Sequence, residues 1–111
     1  MQYDERTWGR WDILDEGEGF KVKRLIVKPD NRLSLQFHHH RSENWVVAKG
    51  EAVVTLSNKI INLKEAEHIF IEKEAVHRLE NKGREDLVVI EVQNGQCLED
   101  DLTRIEDDYG R

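Results

Sequence analysis

From Phe20 onward, short apolar runs alternate with polar punctuation. Phe20 to Lys28, Leu33 to His38, Trp45 to Ala48, Glu51 to Leu56, Lys59 to Leu63, His68 to Ile71 and Asp86 to Gln93 are rich in Val, Ile, Leu and aromatic residues. Each has the length and composition of a β-strand. Gly17-Glu18-Gly19, Pro29-Asp30-Asn31, Lys49-Gly50, Ser57-Asn58 and Asn81-Lys82-Gly83 supply turns between them. Ser57-Asn58 is short enough to close a hairpin. Strands at this spacing with almost no helical pattern between them predict an all-β antiparallel sandwich or small barrel. A single short helix is expected around Asp100 to Asp107, where acidic residues in the first turn would suit the helix dipole. Trp8 and Trp11, set among charges, mark residues 1–19 as an arm packed on the barrel or on a second subunit. Residues 20–98 would form the barrel and 99–111 an acidic tail.

Length and composition narrow the picture. The chain has 111 residues, enough for one domain and one core. Its longest apolar runs, such as Trp45-Val46-Val47-Ala48, fall far below the ~20 residues needed to cross a bilayer. Met1 to Arg6 carries no apolar stretch, so neither a signal peptide nor membrane association is expected. A lone cysteine, Cys97, excludes an internal disulfide and suits a reducing cytoplasm. Net charge is −6, from 23 acidic and 17 basic residues, with six of the acids in 99–111. No basic stripe is present to neutralise phosphates along a duplex, which argues against a nucleic-acid partner.

The informative stretch runs from Leu33 to Trp45. Leu33, Leu35 and Phe37 alternate with Ser34, Gln36 and His38. Successive side chains of a strand point to opposite faces, so Gln36 and His38 share a face apart from the apolar trio. Two coordinating groups at i and i+2 can converge on one ion. Glu43 from the next strand would add a carboxylate, and His77, in Val76-His77-Arg78-Leu79-Glu80-Asn81, a second imidazole. One amide oxygen, two imidazoles and one carboxylate suit zinc or another divalent first-row metal, and suit calcium poorly. Each histidine by itself has a plainer explanation: His39 as part of an exposed polar turn, His68 as a strand-edge residue. Strand parity does not separate Gln36 and His38 from His38 and His40 as the paired positions.

Gln36-Phe37-His38, four residues to Glu43 and six more to Gly50 resemble the first motif of the cupin superfamily. His77-x3-Asn81 resembles the end of the second. That count favours Gln36 and His38 over His38 and His40. The fuller string Gln36-x-His38-His39-His40-Arg41-x-Glu43-x-Trp45-Val46-Val47 is similar to the type II phosphomannose isomerases, the cupin domain usually found behind mannose-1-phosphate guanylyltransferase. Trp8-Gly9, Gly19 to Arg24, Ile90 to Gly95 and the closing Asp107 to Arg111 extend the likeness along nearly the whole chain. There are departures. Asp30 stands where the family usually has Gly, Glu72 and Glu74 replace the Pro and Gly before His77, and Cys97 replaces a usual Tyr. The segment from Cys97 to Asp101 is one residue short of the family pattern.

The resemblance implies a double-stranded β-helix, or jelly roll. It also implies a metal-dependent interconversion of mannose 6-phosphate and fructose 6-phosphate, in the supply of GDP-mannose. In such a reaction the metal on Gln36, His38, Glu43 and His77 would stabilise the developing oxyanion. Glu91 shares a face with Gln93, Leu87 and Val89. If that face is buried, its raised pKa would suit a catalytic base, with an ion pair to Lys23 as the equal alternative. Lys23, Arg41, Arg78 and Gln93 are the candidates for substrate binding, the cations for the 6-phosphate. Strand alternation aims Arg78 away from His77. A non-catalytic cupin module that binds a sugar phosphate or sugar nucleotide is the alternative function. A homodimer and a separate mannose-1-phosphate guanylyltransferase are the expected partners.

Overall fold

The structure, a computed structural model, describes residues 2–108. Tyr109, Gly110 and Arg111, part of the closing motif, lie outside them. Twelve strands follow one another: β1 (Tyr3–Arg6), β2 (Gly9–Gly17), β3 (Phe20–Val27), β4 (Asn31–Arg32), β5 (Leu35–Phe37), β6 (Arg41–Lys49), β7 (Ala52–Leu56), β8 (Lys59–Leu63), β9 (His68–Ile71), β10 (His77–Asn81), β11 (Leu87–Gly95) and β12 (Thr103–Glu106). They form two antiparallel sheets. One has the order β1-β2-β3-β11-β6-β9; the other has β12-β5-β10-β7-β8, with β4 also on β10. This is the all-β architecture expected from the strand pattern. Among the described residues no helix is long and apolar enough to cross a membrane.

The inner face of the larger sheet changes character along its length. Val27, Leu87, Val89 and Val47 occupy one end, buried against Val54 and Leu79 of the opposing sheet in the same core. Register then sets Leu25, Val89 and Val47 side by side, next Lys23, Glu91 and Trp45, and next Lys21, Gln93 and Glu43. The same inward alternation therefore builds a dry core at one end and a floor of buried ionisable groups at the other. Trp8 and Trp11 are buried in this same core, so the arm is the outer edge of the chain's own sheet.

The expected C-terminal helix does not form. Thr103–Glu106 is extended and pairs antiparallel with β5, Thr103 opposite Phe37 and Arg104 opposite Gln36. Asp101, in the expected first turn, and Glu99, just before it, have tertiary partners instead. Glu99 receives Lys21 and Lys23, and Asp101 receives the backbone amides of His39 and His40. Leu98, Leu102 and Ile105 do fall at helical spacing, but the tertiary contacts override that pattern, and Leu98 and Ile105 stay exposed.

Two departures from the family pattern fall where the backbone is left-handed. Asp30 has φ 61° and Glu74 has φ 66°. Aspartate tolerates that region; glutamate does so at a cost. The Glu74 amide donates to the His38 carbonyl, and this bond fixes the turn that delivers His77. Gly95, at φ 123°, passes so close to His40 that a Cβ would stand 2.3 Å from its carbonyl oxygen.

Candidate metal centre

β6 brings Glu43 inward, β10 brings His77 inward, and His38 follows directly after β5. Their ligating atoms all lie within 4.8 Å of one another, and all three side chains are buried. His38 Nε2 stands 3.3 Å from Glu43 Oε2, and His77 Nε2 stands 3.9 Å from Glu43 Oε1. The two imidazole centroids are 5.0 Å apart.

Both rings are held the same way. His38 Nδ1 is 2.7 Å from the Asp101 carbonyl, and His77 Nδ1 is 2.9 Å from the Ala75 carbonyl. A carbonyl can only accept, so Nδ1 carries the proton in each ring and the lone pair sits on Nε2, facing Glu43. Burial pushes His38 down to about 4, helped by the Arg41 charge and opposed by the Asp101 carbonyl, and burial lowers His77 as well. Both imidazoles are therefore neutral at physiological pH, the form that binds a metal. His77 Nε2 makes no hydrogen bond although it is fully enclosed. A buried orphan of this kind calls for a ligand. Two neutral nitrogens and a carboxylate converging on one point, each imidazole anchored through its far nitrogen, fit a divalent first-row metal.

Glu43 is served by two other groups. Arg41 Nε donates to Oε2 at 2.8 Å and Trp45 Nε1 donates to Oε1 at 3.0 Å. Arg41 Nη2 also lies 3.4 Å from His38 Nε2, bringing its positive charge to the cluster, and Nη1 holds the Leu98 carbonyl. Gln36 lies directly opposite His77 in the β5–β10 ladder and on the same side of the sheet. Its Oε1 accepts from Ser34 Oγ at 2.9 Å. His40 is exposed, which removes it as a partner for His38.

A cavity of about 160 Å³ opens beside the cluster, walled by Gln36, Arg41, Glu43, Trp45, Glu91 and Glu99 among others. Glu91 is buried. Burial first, then the neighbouring Glu43 carboxylate, drives it up to about 8 against the pull of Lys23 and Arg41. Gln93 is wholly buried and donates through Nε2 to Glu91 Oε1 at 3.2 Å. Lys23 is paired with Glu99, at 2.6 Å, and sits 4.1 Å from the Trp11 ring centroid. Arg78 is not brought to the cavity. It donates to the Leu33 carbonyl and to Glu106, clamping β12.

Two contributors were not read from the sequence. Asp101 holds His38 with its carbonyl and the His39 and His40 amides with its carboxylate, from 63 residues away. Glu99 covers Lys21 and Lys23. Trp45, in phase with Glu43 on one strand and so expected as core or pocket wall, walls the cavity and also donates to Glu43.

Comparison with known proteins places these features in a family. The family described as "Mannose-6-phosphate isomerase C-terminal" matches residues 2–107. "Mannose-1-phosphate guanylyltransferase ManC" of Salmonella typhimurium is 50% identical over 107 residues, covering 96% of this chain and 22% of that protein. "Xanthan biosynthesis protein XanB" of Xanthomonas campestris is 49% identical, covering 96% and 23%. The chain thus spans less than a quarter of the relatives it matches. Among solved structures, a Klebsiella pneumoniae protein with a double-stranded β-helix domain superposes with a TM-score of 0.74. It is 22% identical and covers 86% of this chain and 77% of that one. These findings correct one expectation. The chain was expected to be a mannose-6-phosphate isomerase in its own right. Relatives at about half identity are named for guanylyl transfer and polysaccharide biosynthesis, and the matched part is a minor share of each. The isomerase role is not supported as such.

Proposed function

The chain belongs to the mannose-6-phosphate isomerase C-terminal family, a cupin family of enzymes, and we propose that it is a zinc-holding module that binds a mannose-series sugar phosphate beside a mannose-1-phosphate guanylyltransferase. The observation that carries this is the enclosed, unpartnered Nε2 of His77, aimed with His38 Nε2 at the Glu43 carboxylate. His38, Glu43 and His77 would hold the ion, with Gln36 as a neutral fourth group at the β5–β10 edge. A divalent cation there would polarise a hydroxyl or carbonyl oxygen of the ligand. Arg41 and Lys23 are the cations assigned to the anionic end. Glu91, backed by Gln93, walls the cavity beside Glu43 and is placed to hydrogen-bond a ligand oxygen. Arg78, on the far face of β10, serves the fold.

A homodimer is part of the same proposal, on different residues from the Trp8/Trp11 arm. The outer face of the larger sheet carries Val22, Ile26, Val46, Phe70, Ile90 and Val92, with Val46 and Phe70 exposed. An apolar sheet face of this kind is suited to burial against another copy.

Metal analysis of untagged protein, paired with mannose 6-phosphate binding, tests the proposal on wild type and His38→Ala. The expected result is one divalent ion per wild-type chain, with metal and sugar-phosphate binding lost together in the variant. Wild-type protein that takes up no divalent metal, or a variant that binds the sugar phosphate unchanged, would overturn it.

A further inference from the structure

The carboxylate of Glu99 lies across two ammonium groups that the fold has buried. Lys21 and Lys23 are inward positions of β3, 9% and 5% exposed. Lys21 Nζ donates to Glu99 Oε2 at 2.9 Å and to the Cys97 carbonyl at 2.9 Å. Lys23 Nζ donates to Glu99 Oε1 at 2.6 Å. Each carboxylate oxygen thus meets one lysine. The exposed carboxylate of Glu16 stands 3.9 Å from Lys21 on the other side.

The segment that carries Glu99 is held differently from the lysines beneath it. Residues 96–102 have no strand structure, Leu98 is exposed, and the Glu99 side chain is 42% exposed. Residues 97–99 are held by polar contacts, the two lysines and Arg41 Nη1 on the Leu98 carbonyl, between two anchors: the Gln96 amide on the His40 carbonyl and Asp101 on the His38–His40 loop. Burial alone would raise the Glu99 carboxyl, but the hydrogen bonds and charges of Lys23 and Lys21 keep it below its ordinary value. Two buried ammonium groups on a rigid strand need an anion. Nothing in the geometry requires that anion to be Glu99, which lines the same cavity as Glu43 and Glu91. A phosphate monoester has oxygens to bridge both lysines and carries about −1.5 to −2 at neutral pH, against one charge on the carboxylate.

We propose that Lys21 and Lys23, which lie under Glu99 and do not themselves wall the cavity, form an anion subsite at its edge, built for a phosphate monoester, and that Glu99 is its intramolecular competitor. The proposal rests on the sugar-phosphate part of the function above and not on the metal. Glu99 acts as a displaceable stopper: a phosphate takes both lysines, and the 97–99 segment lifts from them.

Inorganic phosphate is the probe, titrated into the full chain by calorimetry, with the 13C resonance of the Glu99 carboxyl followed in parallel. Wild-type Glu99 should move toward the position of a free carboxylate as phosphate binds. Glu99→Gln should bind phosphate on the order of tenfold more tightly, and Lys23→Met on the order of tenfold more weakly. An unmoved Glu99 resonance at high phosphate, or a Glu99→Gln chain that binds no better than wild type, overturns the proposal. If Lys23→Met does not fold, the other two measurements decide. A chain that binds phosphate in this way but takes up no metal defeats the metal centre and leaves the subsite standing. A chain that takes up metal but gives no phosphate response, in either the wild type or Glu99→Gln, does the reverse.

Discussion

Asp12 and Glu43 are both fully buried carboxylates on one sheet, and their surroundings could hardly differ more. Asp12 is matched oxygen for oxygen. Arg10 donates to Oδ1, with Nε at 2.9 Å and Nη2 at 2.7 Å, and Arg24 donates to Oδ2, with Nη2 at 2.9 Å. Glu43 also has two donors, Arg41 and Trp45, but it faces two imidazole lone pairs as well, one of them unpartnered. An acid closed off by fixed cations is a structural joint. An acid ringed by fixed lone pairs has the donors that a divalent ion could use.

That contrast can be broken by exchange of roles. Removing the charge at the proposed metal centre should give the largest effect: Glu43→Gln is expected to lose at least about 100-fold in zinc affinity. Asp12→Asn should do the opposite, costing about 2 kcal/mol of unfolding free energy in denaturant while zinc affinity stays at the wild-type value. Arg10 and Arg24 are both more than a third exposed, so solvent screening limits the loss. If Glu43→Gln unfolded the chain and kept its metal, the two carboxylates would have been assigned the wrong way round.

Asp101 sharpens the comparison, because it supports a proposed ligand without being one. Asp101→Ala frees the His39 and His40 amides and loosens the loop whose carbonyl orients His38. Zinc affinity measured by competition should fall about tenfold with the fold retained.

Acid should report on Asp12. Its carboxyl is held below the ordinary value by the Arg10 hydrogen bond and then by Arg24, against its burial. The unfolded chain takes up the proton near pH 4, while the folded one resists until lower pH. The stabilisation is therefore complete above about pH 4 and drains away as pH falls through the folded value. Thermal melts from pH 7 to pH 2.5 should show a shallower acid decline in Asp12→Asn than in wild type. The smallest effect concerns the turn before His77: Glu74→Gly relieves a left-handed glutamate and should raise stability by about 0.5–1 kcal/mol in chemical denaturation.

Legibility in the sequence followed the range of the interaction. Gln36, His38, Glu43 and Trp45 could be placed from local alternation, since a strand's period of two sends i and i+2 the same way. His77–Asn81 did not stand out as a strand, because His, Arg, Glu and Asn interrupt its apolar pattern. It is one because β5, β7 and β4 pair with it and its polar groups find partners inside. The region around Asp101 was read as helix because its acids were judged against a helix dipole. Their actual partners were His39, His40, Lys21 and Lys23, some 60 to 80 residues away in sequence.

What the amino-acid order determined by itself was which side chains face inward together within each strand, and hence the all-β class and the donor types available for a metal. Only the tertiary structure decided which strands lie side by side and at what offset. That offset put Lys23 beside Glu91, Gln93 beside Glu43 and Gln36 beside His77. The reason is physical: alternation is a property of one backbone, whereas register is settled when the sheet closes and its whole inner face is buried at once.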